Sequence, residues 1–144
     1  MKKFFIFTAF AVLALSSASA IGAPSPDDDG ECYSLRTYLF EVEKRENLIG
    51  VLRLKPKSGW KWNEKYPVNL SILKPENGKR PYKLVEQHVE QIELEGDPIP
   101  EVAIWMDLQP SKVAKVYRQR FTVRARYSFC DKTTCRVFKR DIKF

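Results

Sequence analysis

Two period-two runs joined by a short link with a cysteine at each end constrain this chain more than any other feature. Tyr117, Gln119, Phe121, Val123, Ala125, Tyr127 and Phe129 alternate with Arg118, Arg120, Thr122, Arg124, Arg126 and Ser128. A period of two over this length specifies a β-strand with one buried face. The link is Cys130-Asp131-Lys132-Thr133-Thr134-Cys135. Beyond it, Arg136, Phe138, Arg140, Ile142 and Phe144 alternate with Val137, Lys139, Asp141 and Lys143. With Cys130 opposite Cys135, Tyr127 meets Phe138, Val123 meets Ile142 and Phe121 meets Phe144 on one side. On the other side Arg126 meets Lys139, Arg124 meets Asp141 and Thr122 meets Lys143. This register buries apolar cross-strand pairs and hydrates the charges, and a slip of one residue would invert both faces. Arg136 and Arg140 fall on the apolar side and must lie near sheet edges or snorkel. The Arg126 and Lys139 pairing is mildly repulsive.

The same register projects both cysteines from the polar face across a four-residue turn. Asp131 and the two threonines suit that turn through side-chain to backbone hydrogen bonds. A Cys130–Cys135 bridge would close so short a loop that chain entropy gives it roughly 2 kcal/mol. Such a bridge is either there to react or is a minor pin on a hairpin tip. Three cysteines leave one over. Spacing pairs Cys130 with Cys135 most naturally and leaves Cys32 alone, while a bridge from Cys32 to either of the others stays open.

The first twenty residues read as a cleaved signal peptide. Lys2 and Lys3 precede an apolar run from Phe4 to Leu15, and Ala18-Ser19-Ala20 is an A-x-A cleavage signal. That run is short for a bilayer span, and no second apolar segment follows, so no membrane span is expected after cleavage. The short lysine-led signal points to bacterial export, to the periplasm or beyond. Without residues 1–20 the 144-residue chain keeps 124, enough for one domain. Losing the two lysines takes the formal charge from +7 to +5. In an exported domain that mild excess reads as a solubility feature or an aid to meeting an acidic partner, and nucleic acid is not an expected ligand. An oxidising compartment favours one disulfide.

Residues 21–31, rich in Pro, Asp and Gly, read as a disordered lead, and 32–144 as a single domain. Tyr33 to Lys44 and Leu48 to Lys55 make a hairpin about Arg45-Glu46-Asn47. The stretch from Pro56 to Pro67 reads as a loop by its Pro and Gly content, yet it carries Trp60, Trp62 and Tyr66. Aromatics on a loop plug the end of a sandwich or form a contact surface, and the plug is the expectation here. Val68 to Leu73 is a strand ended by the Lys74-Pro75-Glu76-Asn77-Gly78 turn. Lys83 to Glu95 fits one or two short strands, and Gly96-Asp97-Pro98-Ile99-Pro100 is a turn. Val102, Ile104, Met106 and Leu108 then alternate with Ala103, Trp105 and Asp107. About seven strands with turns every 8–12 residues match an all-β, immunoglobulin-like antiparallel sandwich better than a barrel. His88, the one histidine, reads as a surface residue. No cluster at ligand spacing accompanies it, so neither a metal site nor a Ser-His-Asp device is expected, and no cofactor either.

Gly59-Trp60-Lys61-Trp62-Asn63, Tyr66-Pro67-Val68-Asn69-Leu70 and Tyr127-Ser128-Phe129-Cys130-Asp131 with Cys135 following resemble the N-terminal periplasmic domain of the thiol:disulfide interchange protein DsbD and its stand-alone relatives. The resemblance runs over roughly Leu35 to Phe144. It implies an immunoglobulin-like sandwich whose late hairpin exchanges electrons with thioredoxin-like proteins. Cys130 and Cys135 would then be the redox pair, with the Gly59 to Tyr66 loop shielding or framing it. In that family the cysteines stand one residue further apart and a Pro-rich segment follows the second, where this chain has Arg136-Val137-Phe138. The chain also lacks the family's membrane conduit and thioredoxin domain, so a separate thioredoxin-like periplasmic protein or membrane electron donor would have to supply electrons.

Two functions are therefore in view. One is thiol–disulfide exchange through Cys130 and Cys135, making the chain a redox partner domain rather than a hydrolase or transferase. Cys135 is favoured as attacking thiolate because Arg136 adjoins it. The other is a non-enzymatic binding module that the bridge merely staples. It would bind through the Trp60/Trp62 loop or the basic stripe Arg118, Arg120, Arg124 and Arg126.

Overall fold

The computed structural model describes residues 32–42, 46–76, 78–111 and 120–144. The expected signal peptide, the expected lead, Tyr117 and Arg118 lie outside them. Among the described residues there are eight strand segments: β1 (Tyr33–Glu41), β2 (Leu48–Pro56), β3 (Lys61–Trp62), β4 (Asn69–Ile72), β5 (Tyr82–Ile92), β6 (Glu101–Pro110), β7 (Thr122–Cys130) and β8 (Cys135–Lys143). One antiparallel sheet runs β1-β2-β6-β5. In the other, β8 lies along the whole length of β7, and both β3 and β4 also pair with β7. A strand has only two edges, so β3 and β4 must share the second. They are two pieces of one broken strand, and the eight segments occupy seven strand positions. Four strands against three, in this order, is the constant-type immunoglobulin arrangement.

The sheets meet through the apolar parity of each strand. Leu52, Leu54, Val102, Ile104, Met106 and Leu108 supply one inner face, and Val123, Ala125, Tyr127, Phe129, Phe138 and Ile142 the other. Tyr33 joins them. Its ring stacks on Phe129 at 4.9 Å, and its hydroxyl meets that of Tyr127 at 2.6 Å. A buried pair of hydroxyls that satisfy one another fixes how the sheets sit better than apolar contact alone. Gly50 occupies an apolar-parity position in β2 opposite Met106. A Cβ there would come within 2.9 Å of Met106 Cε, so the absent side chain makes room for two bulky residues opposite.

The hairpin register expected from the sequence is the one observed, pair for pair from Thr122↔Lys143 to Cys130↔Cys135. Phe121 and Phe144 continue it with mutual backbone hydrogen bonds and stacked rings. Arg140 snorkels over the Phe138 ring. Thr122 begins the observed strand, while the expected start at Tyr117 falls among residues outside the described ones. The stretch from Lys83 to Glu95 forms one strand of eleven residues from Tyr82, with a bulge between Leu84 and Glu86. It lies at the sheet edge and exposes residues of both parities, so the stretch carries no clean alternation.

Candidate functional site: the hairpin disulfide and its groove

Cys130 and Cys135 are joined to each other, so the alternative bridges from Cys32 are not formed. Cys32 is a buried thiol on the core side, with Arg136 Nη1 3.8 Å from its Sγ. The bridged pair follows a turn in which Asp131 N–H donates to the Thr134 carbonyl. Pairing alternates along an antiparallel ladder, so Cys130 and Cys135 form a non-hydrogen-bonded pair, where side chains come closest. Their Cα atoms are 3.9 Å apart. Cys135 is exposed on the edge strand, and Cys130 is half-buried in the middle one.

Asp131 organises the turn. Its Oδ1 accepts the Thr133 and Thr134 N–H groups, each at 2.7 Å, and the Thr133 hydroxyl at 3.1 Å. Those N–H groups hold the Asp131 carboxyl below the usual carboxylate range, with the charge of Arg136 helping. A depressed carboxyl contributes stability above its unfolded value near about 4 and loses it only as pH falls through the lower folded value. At neutral pH a fixed negative charge therefore stands beside the bridge.

Positive charge comes from an unexpected neighbour. Arg136 lies opposite Phe129, on the core side of β8, with its guanidinium 5.4 Å above the Trp60 ring. It caps the end of the sandwich, on the side of β8 opposite to Cys135. The cation directly across from Cys130 is Lys61 in β3, and Lys132 of the turn lines the same groove. Lys61, Cys130 and Cys135 thus form one row across three strands. No signal short of the β3–β7 register reveals that, because Lys61 sits in what reads as a loop.

The aromatic loop divides its work. Trp62 enters the core, edge-on to Phe129 at 5.3 Å, and acts as the expected plug. Trp60 and several of its neighbours in the segment wall a groove of about 570 Å³ that reaches Cys130. Pro56, Trp60, Trp62, Ile99 and Pro100 give its apolar lining, and Cys130, Asp131 and Lys61 line it too. The sequence identified 96–100 only as a turn. Its apolar residues close the groove from the side of the other sheet.

The basic stripe is interrupted. Arg124 makes a two-pronged pair with Asp141, at 2.7 and 2.8 Å, while Arg126 and Arg120 stay exposed. That pair holds the Asp141 carboxyl below the usual range and raises the Arg124 guanidinium. His88 is exposed and stacks on Trp105. Among the described residues no group of three or more His, Cys, Asp or Glu is placed to hold a metal ion, and no helix is long and apolar enough to cross a membrane.

No protein-family model matches this chain, and no curated protein matches it either. Among solved structures it is similar to the GAE domain of yeast GGA1, with a TM-score of 0.44 and 11% identity over 81% of this chain and 94% of that one. A likeness of this size transfers nothing about function.

Proposed function

We propose that the protein takes part in thiol–disulfide exchange with a thioredoxin-like partner through Cys130 and Cys135, as an exported domain in an oxidising compartment. The observation that carries this reading is that Cys130, one half of the bridge, lines an apolar groove and pairs across strands with Lys61. A hairpin pin has no need of a recess at its side.

On this reading the attack comes from the Lys61 side. Displacement at sulfur proceeds along the line of the breaking S–S bond. Because Cys130 stands between Lys61 and Cys135, a thiolate aimed at Cys130 Sγ arrives over Lys61, from the groove. It forms a partner–Cys130 bond as the Cys130–Cys135 bond breaks. The electron pair leaves on exposed Cys135 Sγ, which takes a proton from water. The partner's second thiolate then attacks its own sulfur in the mixed disulfide and releases Cys130 as a thiolate, which is protonated in turn. Two electrons and two protons have passed from the partner dithiol to this chain, and the partner is left as a disulfide. The reverse sequence reduces a partner disulfide.

Lys61 attracts the incoming thiolate and Asp131 repels it, so the rate depends on both charges. A reduced thioredoxin-class protein should open the bridge at least about tenfold faster than dithiothreitol at equal thiolate concentration, because docking prepays orientation. Asp131→Asn keeps an acceptor for the turn and removes the charge. It should speed the reaction and Lys61→Gln should slow it, both effects shrinking in high salt. Equal rates with both reductants, unaffected by either substitution, would reduce the bridge to a staple.

A further inference from the structure

The outer face of an antiparallel sheet ordinarily meets water with polar side chains. One half of the outer face of β1-β2-β6-β5 follows that rule, with Arg36, Arg53 and Glu90 in one row, and the other half does not. Tyr38, Val51, Trp105 and His88 are direct cross-strand neighbours and form one row over all four strands. Phe40 and Ile49 begin the adjacent row, which continues as Asp107 and Glu86. The rings pair along the strands and across them, Tyr38 with Phe40 at 6.1 Å and His88 with Trp105 at 5.8 Å, both nearly parallel. Val51 is covered to 2% exposure on this supposedly wet face, whereas Phe40 is 49% exposed.

The second row ends in a contradiction that a ligand would resolve. Asp107 and Glu86 sit directly opposite one another, and like charges in that position destabilise a sheet. Among the described residues neither carboxylate meets a cationic side chain, and Asp107 accepts only the Asn47 amide, at 3.0 Å. A recess of about 280 Å³ lies there, bounded by Ile49, Glu86, His88, Trp105 and Asp107. Trp105 Nε1–H is buried and finds no acceptor among the described residues. A buried donor of that kind is uncommon.

We propose that this face docks a polypeptide segment carrying an arginine or lysine flanked by apolar side chains. The cation enters the recess between Glu86 and Asp107, against the indole of Trp105, where two carboxylates and an aromatic face all favour it. The flanking apolar groups lie on the shelf of Tyr38, Phe40 and Ile49. The site is on the opposite sheet from the cysteine bridge and requires nothing of the exchange reading.

The test is an NMR titration of the three tryptophan indole N–H signals, with Trp105→Phe identifying the one that matters. The probes are the blocked peptides acetyl-Leu-Arg-Leu-amide and acetyl-Leu-Glu-Leu-amide. The arginine peptide should move the Trp105 signal saturably, and the glutamate peptide should not. Glu86→Gln and Asp107→Asn should each weaken that binding several-fold without lowering the melting temperature, because each relieves the like-charge pair. No shift with the arginine peptide, or an equal shift with both peptides, overturns the proposal. So does binding that survives both substitutions. A Trp105 signal that moves with protein concentration alone makes the occupant a second copy and overturns it as well.

Discussion

Replacing both cysteines, Cys130→Ser with Cys135→Ser, should leave the sandwich folded and abolish exchange. The bridge closes a loop of only six residues, so the unfolded chain gains little freedom when it is cut, and the loss should be roughly 2 kcal/mol. The hairpin keeps its other restraints. Its ladder runs on to Thr122↔Lys143, and the turn retains the Asp131 hydrogen bonds. Exchange has no such reserve, because with no sulfur left on this face the reaction has no acceptor for the electron pair. Chemical denaturation and the rate of oxidation of a reduced thioredoxin-class protein, measured on one preparation, separate the two effects. A variant that fails to fold would make the bridge the staple that its short loop argues against. One that still oxidises the partner would move the chemistry elsewhere.

The second large effect lies in the core and should exceed the first. Phe129 is fully buried, stacked on Tyr33 and edge-on to Trp62 and Phe138. It adjoins Cys130 in sequence but points into the sandwich. Phe129→Ala opens a cavity among rings held by three different strands and the Tyr33–Tyr127 hydroxyl contact, which leaves little room to collapse. The cost should be about 3–5 kcal/mol, a large share of the 5–15 kcal/mol of a typical domain. Urea unfolding should show the midpoint falling with the slope unchanged. Phe129→Ala should thus be less stable with its bridge intact than the double serine variant is without one. The opposite order would mean that the hairpin bridge, and not the aromatic core, holds the end of the sandwich together.

The β7–β8 hairpin was legible in the sequence because one face is buried, so pattern and register determine each other. Trp62 as a plug was legible for the same reason, an aromatic with nowhere else to go on a small sandwich. Edge strands were harder. β5 shows residues of both parities to solvent, and β3 is two residues long, so neither leaves a clear period. What lay beyond the sequence was juxtaposition. Lys61 beside Cys130, Arg136 turned toward Trp60, and the row from Tyr38 to His88 all depend on pairings between segments far apart in the chain. Alternation tells which side of its own strand a residue takes, not which neighbour it meets. The groove beside the bridge needed both sheets in place, since its apolar lining comes from the β2 end, the β3 region and the turn before β6.

The most direct test of the exchange reading is the reduction potential of the Cys130–Cys135 couple, read by thiol trapping across a graded glutathione or dithiothreitol series with the fold monitored alongside. An exchange site should show a potential well above about −300 mV, with reversible opening and the sandwich intact. A potential below that value, or a bridge that opens only in denaturant, would contradict the exchange reading and leave Cys130–Cys135 as a structural pin.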